Sequence, residues 1–292
     1  MQRLLIIGCG DVARRALPWL TRRFRVYAVA RGAAAADELR ALGVTPIRAD
    51  LDHRRTLDRL AGIANLVLHS APPQDQGRRD ERTRRLVAVL AKASSLPRRL
   101  IYISTSGVYG DCAGALVTEA RPALAQTARA QRRVDAEQVL RRFGRGNGVA
   151  VSVLRAPGIY AADRLPLERV RRADPVLKRD EDVHTNHIHA EDLAHLCCIA
   201  LSRASAGRIY NASDDSDMLM GDYFDLVADT FDLPRPPRVS REEAKARLKP
   251  MTLSFMQESR RLSNARIKRE LRARLRYPDV AAGLAAARYR GS

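Results

Sequence analysis

The stretch LIIGCGDVARRAL, residues 5–17, constrains this chain more than any other. An apolar strand runs into Gly8 and Gly10, and Ala13 follows after Asp11 and Val12 at the opening of an amphipathic helix. In this G-x-G-x-x-A spacing the first glycine permits a tight turn. The second keeps the backbone bare where a pyrophosphate approaches, and the alanine lets the helix pack close to the strand. The helix N-terminus adds unpaired amides and a partial positive charge. The spacing is weak alone, but between a strand and a helix at the head of βαβ units it marks a dinucleotide site.

Such units follow. RLLIIG, RVYAVA, VTPIRA, NLVLHSA, RLIYIST and VAVSVLRA read as six strands. Between them Asp11–Arg23, Ala34–Leu42, His53–Ala61, Arg78–Ala93 and Thr127–Phe143 read as helices. Short β-rich runs alternating with helices imply a parallel sheet, and continuously apolar strands imply burial on both faces. The expected fold class is therefore α/β, a doubly wound parallel sheet. After Ala156 the rhythm breaks at Pro157, Pro166 and Pro175. HAEDLAHLCCIAL reads as a helix, RIYNAS as a strand, Tyr223–Phe231 as a helix, and the tail as two helices. We expect a dinucleotide-binding core over residues 1–156. Residues 157–292 should form a smaller α+β substrate-side region, packed onto the core and partly completing it.

Composition narrows the function. The formal net charge is +19, but only five of the 52 basic residues are lysines and the arginines are mixed with acids along the chain. That pattern describes charged helix faces better than a nucleic-acid arm, so no nucleic-acid partner is expected, although the field favours anionic ligands. No apolar run reaches the ~20 residues that span a bilayer, and the N-terminus lacks a signal-peptide pattern. Cys9, Cys112, Cys197 and Cys198 show no C-x-x-C spacing. A cytoplasmic protein without membrane attachment is expected, acting as a monomer or homodimer.

A site selective for NAD places an acid after the second strand, about 20 residues past the glycines, on the ribose 2′-hydroxyl. Here Arg31 stands at that point and no acid follows until Asp37. Arginine pairs with a 2′-phosphate, so NADP is favoured over NAD; a solvated surface arginine is the competing reading. Asp50 and Leu51 fall where the adenine would lie, and Ala71 and Pro72 against the cofactor backbone.

With these features the chain resembles the extended short-chain dehydrogenase/reductases, the NAD-dependent epimerase/dehydratase group. The marks are GCGDVA, ADLDH, HSAPP, ISTSGVYGD, LRAPGIYAADRL, NHIHAEDLAHL, GRIYNASDD and ARIKREL. The turn departs from that group's usual G-x-x-G-x-x-G and looks more like an atypical subgroup, many members of which lack the usual catalytic residues. The resemblance places the catalytic hydroxyl at Thr105, with Ser104 and Pro157 as further cofactor contacts. It also implies a Y-x-x-x-K pair on the following helix, with a glutamate four residues past the lysine. Counting back from Glu137 puts Arg133 at the lysine position and Arg129 at the tyrosine position, and no tyrosine or lysine occurs from Gly110 to Gly158. Arginine stays protonated and cannot cycle a proton. Arg133 is expected on the nicotinamide ribose. Tyr160, on the loop that would roof the nicotinamide, is the candidate proton carrier.

His184, His187 and His189 cluster in HTNHIHAED, but their spacing matches no common zinc site, so no metal is expected. His187 and His189 are further proton-donor candidates. Two functions compete. One is an NADP-dependent oxidoreductase or epimerase-like enzyme with non-standard acid/base residues, acting on a carbonyl compound or nucleotide-sugar. The other is a catalytically inactive NADP(H)-binding sensor or scaffold. A basic nucleic-acid binder on the same scaffold ranks third.

Overall fold

The computed structural model describes residues 1–248 and 250–291. Its centre is a seven-stranded sheet. The first half supplies β1 (Gln2–Ile7), α1 (Asp11–Leu20), β2 (Phe24–Ala30), α2 (Ala33–Ala41), β3 (Thr45–Arg48), β4 (Leu66–His69), α3 (Glu81–Leu90), β5 (Arg99–Thr105), α4 (Ala128–Asn147) and β6 (Ala150–Ala156). Helix α5 (Ala190–Arg203) and β7 (Ile209–Asn211) come from beyond Pro157. The strand order is β7-β6-β5-β4-β1-β2-β3, and every neighbouring pair is parallel.

Strand side chains alternate between faces, and β1 shows the consequence. Leu4 and Ile6 enter one core with Leu17, Leu20 and Leu193, while Leu5 and Ile7 enter the other with Leu86, Val89 and Leu140. Helices cover both faces, so β1 is apolar without a break from Leu4 to Ile7. The chain leaves β1 in one direction for β2 and β3, and in the other for β4 and β5. A crevice therefore opens at the carboxyl ends of β1 and β4, the usual ligand position in such sheets.

Two helices differ from expectation. Residues 53–61 form a 3₁₀ helix at Arg54–Leu60 rather than an α-helix. Helix α4 runs past Phe143 to Asn147 and ends at left-handed Gly148, with φ +66°. Gly144 does not break it: a Cβ there would lie 2.8 Å from the Val149 carbonyl, so the glycine lets α4 approach β6. Thr127 caps the N-terminus of α4, accepting from the Ala130 N–H at 3.2 Å.

Beyond β6 the pieces are short. Gly158–Tyr160 pairs in parallel with His187–His189. Helices α6 (Met220–Thr230) and α7 (Val280–Gly291) bring Tyr223, Phe224, Val227, Val280 and Leu284 into a satellite core around Tyr160. Among the described residues, no helix is long and apolar enough to cross a membrane.

Candidate functional site

At the crevice, Gly8 adopts φ +88°, and a Cβ there would lie 2.5 Å from the Ala71 amide nitrogen. Glycine is thus required twice, by conformation and by the close approach of the chain after β4. A Cβ on Gly10, by contrast, would meet nothing within 4 Å. Gly10 is the N-cap of α1 and has no side-chain cap, so its bare backbone faces open space at a positive helix end. This is a cradle that a side chain would fill and a pyrophosphate fits. The cleft measures about 650 Å³, and Gly8, Gly10, Asp11, Val12, Ala13, Arg31, Pro72, Ser104, Thr105, Arg133 and Pro157 all line it.

The remaining expected contacts are placed otherwise. Asp50 and Leu51 are not among the lining residues. The Asp50 carboxylate accepts from the Asp52 N–H at 3.0 Å and lies 3.1 Å from His53 Nδ1, while Leu51 is buried. Ala71 is also outside the lining and backs the Gly8 turn instead. Asp11 lines the cleft, but its carboxylate is held by Arg15 at 2.8 Å and Arg164 at 2.9 Å. The Ser104 hydroxyl turns away to donate to Glu137 Oε1 at 2.6 Å, inside a buried Glu137–Arg155 pair with a closest approach of 2.7 Å. Ser104 thus meets the cleft without offering its hydroxyl.

Tyr160 requires a correction. It lines neither the cleft nor the cavity beside it. Its ring is buried against Gly283 of α7, and its hydroxyl donates to the Asp279 carbonyl at 3.1 Å. Burial, with Asp214 and Asp192 nearby, pushes its phenol well above the ordinary range. The side chain anchors the tail and is not placed to carry the substrate's proton. Ile159, one residue earlier, lines the cleft in its place.

A second cavity of about 490 Å³ adjoins the cleft. Pro72, Thr105, Arg133 and Pro157 line both, so the two spaces meet at Thr105. Thr105 Oγ1 accepts from the Gly107 N–H at 3.2 Å, which leaves the hydroxyl proton to be donated elsewhere. Arg129 also lines the second cavity, one helical turn from Arg133 on α4. The count back from Glu137 thus brings both arginines to the site.

Three contributors escaped the sequence reading. Arg14 lines the cleft and pairs with Glu38 at 2.6 Å; its signal was its place directly after Ala13. Arg169 and Arg260 line the cavity from segments remote in sequence, and no local motif marks them. The histidines separate. His189 caps α5, its Nδ1 accepting from the Glu191 N–H at 3.2 Å. His184 lies 3.1 Å from Asp217. His187 lines the cavity, stacked on Tyr223 with centroids 4.3 Å apart, and burial lowers its pKa to about 4, so the ring is neutral near pH 7. Burial also raises the Cys9 thiol to about 11, which leaves the cleft's one cysteine protonated. No group of three or more His, Cys, Asp or Glu among the described residues is arranged to hold a metal ion.

Comparison with known proteins agrees with this geometry. A family model described as NAD(P)H-binding matches residues 8–204. A functionally unknown conserved protein from Silicibacter pomeroyi is 30% identical, with each chain covered over 100% of its length and a TM-score of 0.81. A UDP-glucose 4-epimerase from Thermotoga maritima, solved with UDP-glucose, is 15% identical, covers 98% of this chain and 97% of its own, and has a TM-score of 0.79. A dTDP-glucose 4,6-dehydratase from Streptomyces venezuelae, solved with NAD, is 18% identical, covers 99% and 97%, and has a TM-score of 0.78. No curated protein sequence matches the chain.

Proposed function

The chain belongs to the NAD(P)H-binding family, and from that premise we propose an NADP-dependent oxidoreductase or epimerase-like enzyme that acts on a small molecule. The observation that carries this reading is the meeting of a dinucleotide-shaped cleft with a separate cavity at Thr105, Arg133, Pro72 and Pro157.

When bound, the nicotinamide supplies the hydride acceptor or donor. The chain's own residues do the rest. Amides of the Gly8–Ala13 turn and the N-terminus of α1 hold the pyrophosphate. Arg31 is exposed and makes no hydrogen bond or ion pair among the described residues, which leaves it to pair with a 2′-phosphate. Arg133 holds the nicotinamide ribose. Thr105 donates its hydroxyl proton in a hydrogen bond to the reacting oxygen. Neither Arg129 nor Arg133 accepts a proton at any working pH, so they bind and orient. Loss of a general acid–base group costs typically about 10²–10⁴-fold in rate, which slows such an enzyme without removing hydride transfer. The epimerase and dehydratase of like fold make nucleotide-sugars one substrate class to assay and carbonyl compounds the other.

One arrangement favours a second reading, an NADP(H)-binding sensor or scaffold without turnover. Arginines occupy the Y-x-x-x-K positions, and Tyr160 is buried under α7. The deciding assay follows NADPH oxidation over a carbonyl panel and NADP⁺ reduction over hydroxy compounds and nucleotide-sugars. Turnover that falls in Thr105→Ala with cofactor affinity intact supports the enzyme. Tight cofactor binding with no turnover on either panel supports the sensor.

A further inference from the structure

Resting on that reading of the site, we propose that the cavity beside Thr105 recognises a small anionic substrate, carrying carboxylate or phosphate groups, with Arg169 as its principal anchor. Five arginines line this cavity, Arg129, Arg132, Arg133, Arg169 and Arg260, against two acidic residues, Asp75 and Glu258. The formal excess is three positive charges. One belongs to Arg133, which faces the cofactor cleft as well.

At Arg169, Arg132 and Arg260 local pairing leaves part of the guanidinium unmet. Glu258 is committed to Arg260 at 2.7 Å. The carboxylate closest to Arg169 is that of Asp174, 4.0 Å from Nε, and Asp174 lies closer to Arg172, at 2.9 Å. Buried Arg169 Nε and Nη2, Arg132 Nε and Arg260 Nε have no hydrogen-bond partner among the described residues. Cationic N–H groups removed from water and left unpartnered are costly, and the charge of an anion held in the cavity offsets that cost. Phe224 holds the group in place: the Arg169 guanidinium carbon stands 4.3 Å from its ring centroid, within cation–π range. Burial also lowers the guanidinium pKa of Arg169.

The cavity's position adds chemistry to charge. Arg129 stands one helical turn from Arg133, where the resembling enzymes place their proton-carrying tyrosine. The exchange of tyrosine for arginine turns a proton-transfer position into an anion-binding one beside the reacting carbon. An anionic substrate held there is aligned with Thr105 by charge.

The test is isothermal titration of the NADPH-saturated protein with malonate, inorganic pyrophosphate and the neutral isostere malonamide. We expect malonate or pyrophosphate to bind at least tenfold more tightly than malonamide. Arg169→Gln should lose at least tenfold of that affinity, and Arg169→Lys should recover part of it. Arg129→Gln gives an independent second loss. A preference for pyrophosphate points to phosphate substrates, and a preference for malonate to dicarboxylates. Anion affinity unchanged in both glutamine variants overturns the proposal, as does simple competition between the anion and NADPH. If NADPH fails to bind the parent protein but Arg169-dependent anion binding persists, the cofactor reading falls and the cavity assignment stands.

Discussion

Arg133 Nη1 donates to the Tyr102 hydroxyl at 2.9 Å and to the Ile103 carbonyl at 3.0 Å, so the guanidinium is fixed at the wall shared by the two spaces. The second bond makes the two residues unequal under mutation. Arg133→Ala should weaken NADPH binding by about tenfold, the scale of one lost hydrogen bond to a charged donor. Tyr102→Phe leaves the Ile103 bond in place and should cost about threefold or less on the same argument. Equal losses in fluorescence titrations would show that Arg133 is not held in this way.

The two glycines of the turn should separate stability from binding. Gly8→Ala combines a positive φ with a Cβ 2.5 Å from backbone, so it should destabilise the fold by about 2 kcal/mol or more. Gly10→Val meets open space and should cost less than about 1 kcal/mol. Urea denaturation of the two variants measures both, and the reverse ranking would contradict the geometry of the turn.

The buried Arg155–Glu137 pair, with side chains 4% exposed on each partner, makes a stability prediction independent of any ligand. Glu137→Gln leaves the Arg155 cation without a counter-charge and should cost about 3–5 kcal/mol. Ser104→Ala removes one hydrogen bond to the same carboxylate and should cost about 1–2 kcal/mol. A Ser104→Ala variant with full stability and poor cofactor binding would return that hydroxyl to the cleft.

Acid should act through buried histidines. Burial lowers His187 to about 4, and burial with the Arg133 charge lowers His69 to about 3, against about 6.5 in the unfolded chain. Between those values the unfolded chain binds more protons, so each histidine contributes stability above about pH 6.5 that is lost as pH falls through its folded value. Asp214, raised to about 7 by burial, has the opposite slope, so the comparison must be made between variants. His187→Phe should flatten the stability curve between pH 7 and 4 by about 3 kcal/mol relative to the parent. Superimposable curves would mean that His187 titrates as if exposed.

The sheet was legible because its strands carry their burial in sequence: Leu4–Ile7 and Leu66–Leu68 are apolar on both faces, and the Gly8–Ala13 spacing announces its turn. Thr105 and Pro157, which the resemblance named at the ends of β5 and β6, line the cleft, as does Arg133 on α4, reached by counting back from Glu137. What failed depended on partners remote in sequence. The position of Tyr160 is decided by Gly283 and Asp279 in the tail, and that of Ser104 by Glu137 and Arg155. Arg169 and Arg260 are 91 positions apart and meet only in the folded cavity. The helix expected over Thr127–Phe143 runs longer for a similar reason, since close packing against Val149 keeps Gly144 inside α4.

The central claim is that an NADP dinucleotide seats its pyrophosphate on the Gly8–Ala13 turn and its 2′-phosphate by Arg31. The single tryptophan, Trp19, lies on α1 itself and serves as an energy-transfer donor to reduced nicotinamide. The measurement is a Trp19 fluorescence titration with NADPH and NADH on the parent, Arg31→Ala and Gly10→Val proteins. The account predicts saturable transfer with NADPH at about tenfold or better affinity over NADH, the scale of one charge-assisted phosphate contact. That preference should vanish in Arg31→Ala, and binding of both cofactors should vanish in a folded Gly10→Val. Unchanged NADPH binding in Gly10→Val, or no transfer with either cofactor at millimolar concentration, would contradict it.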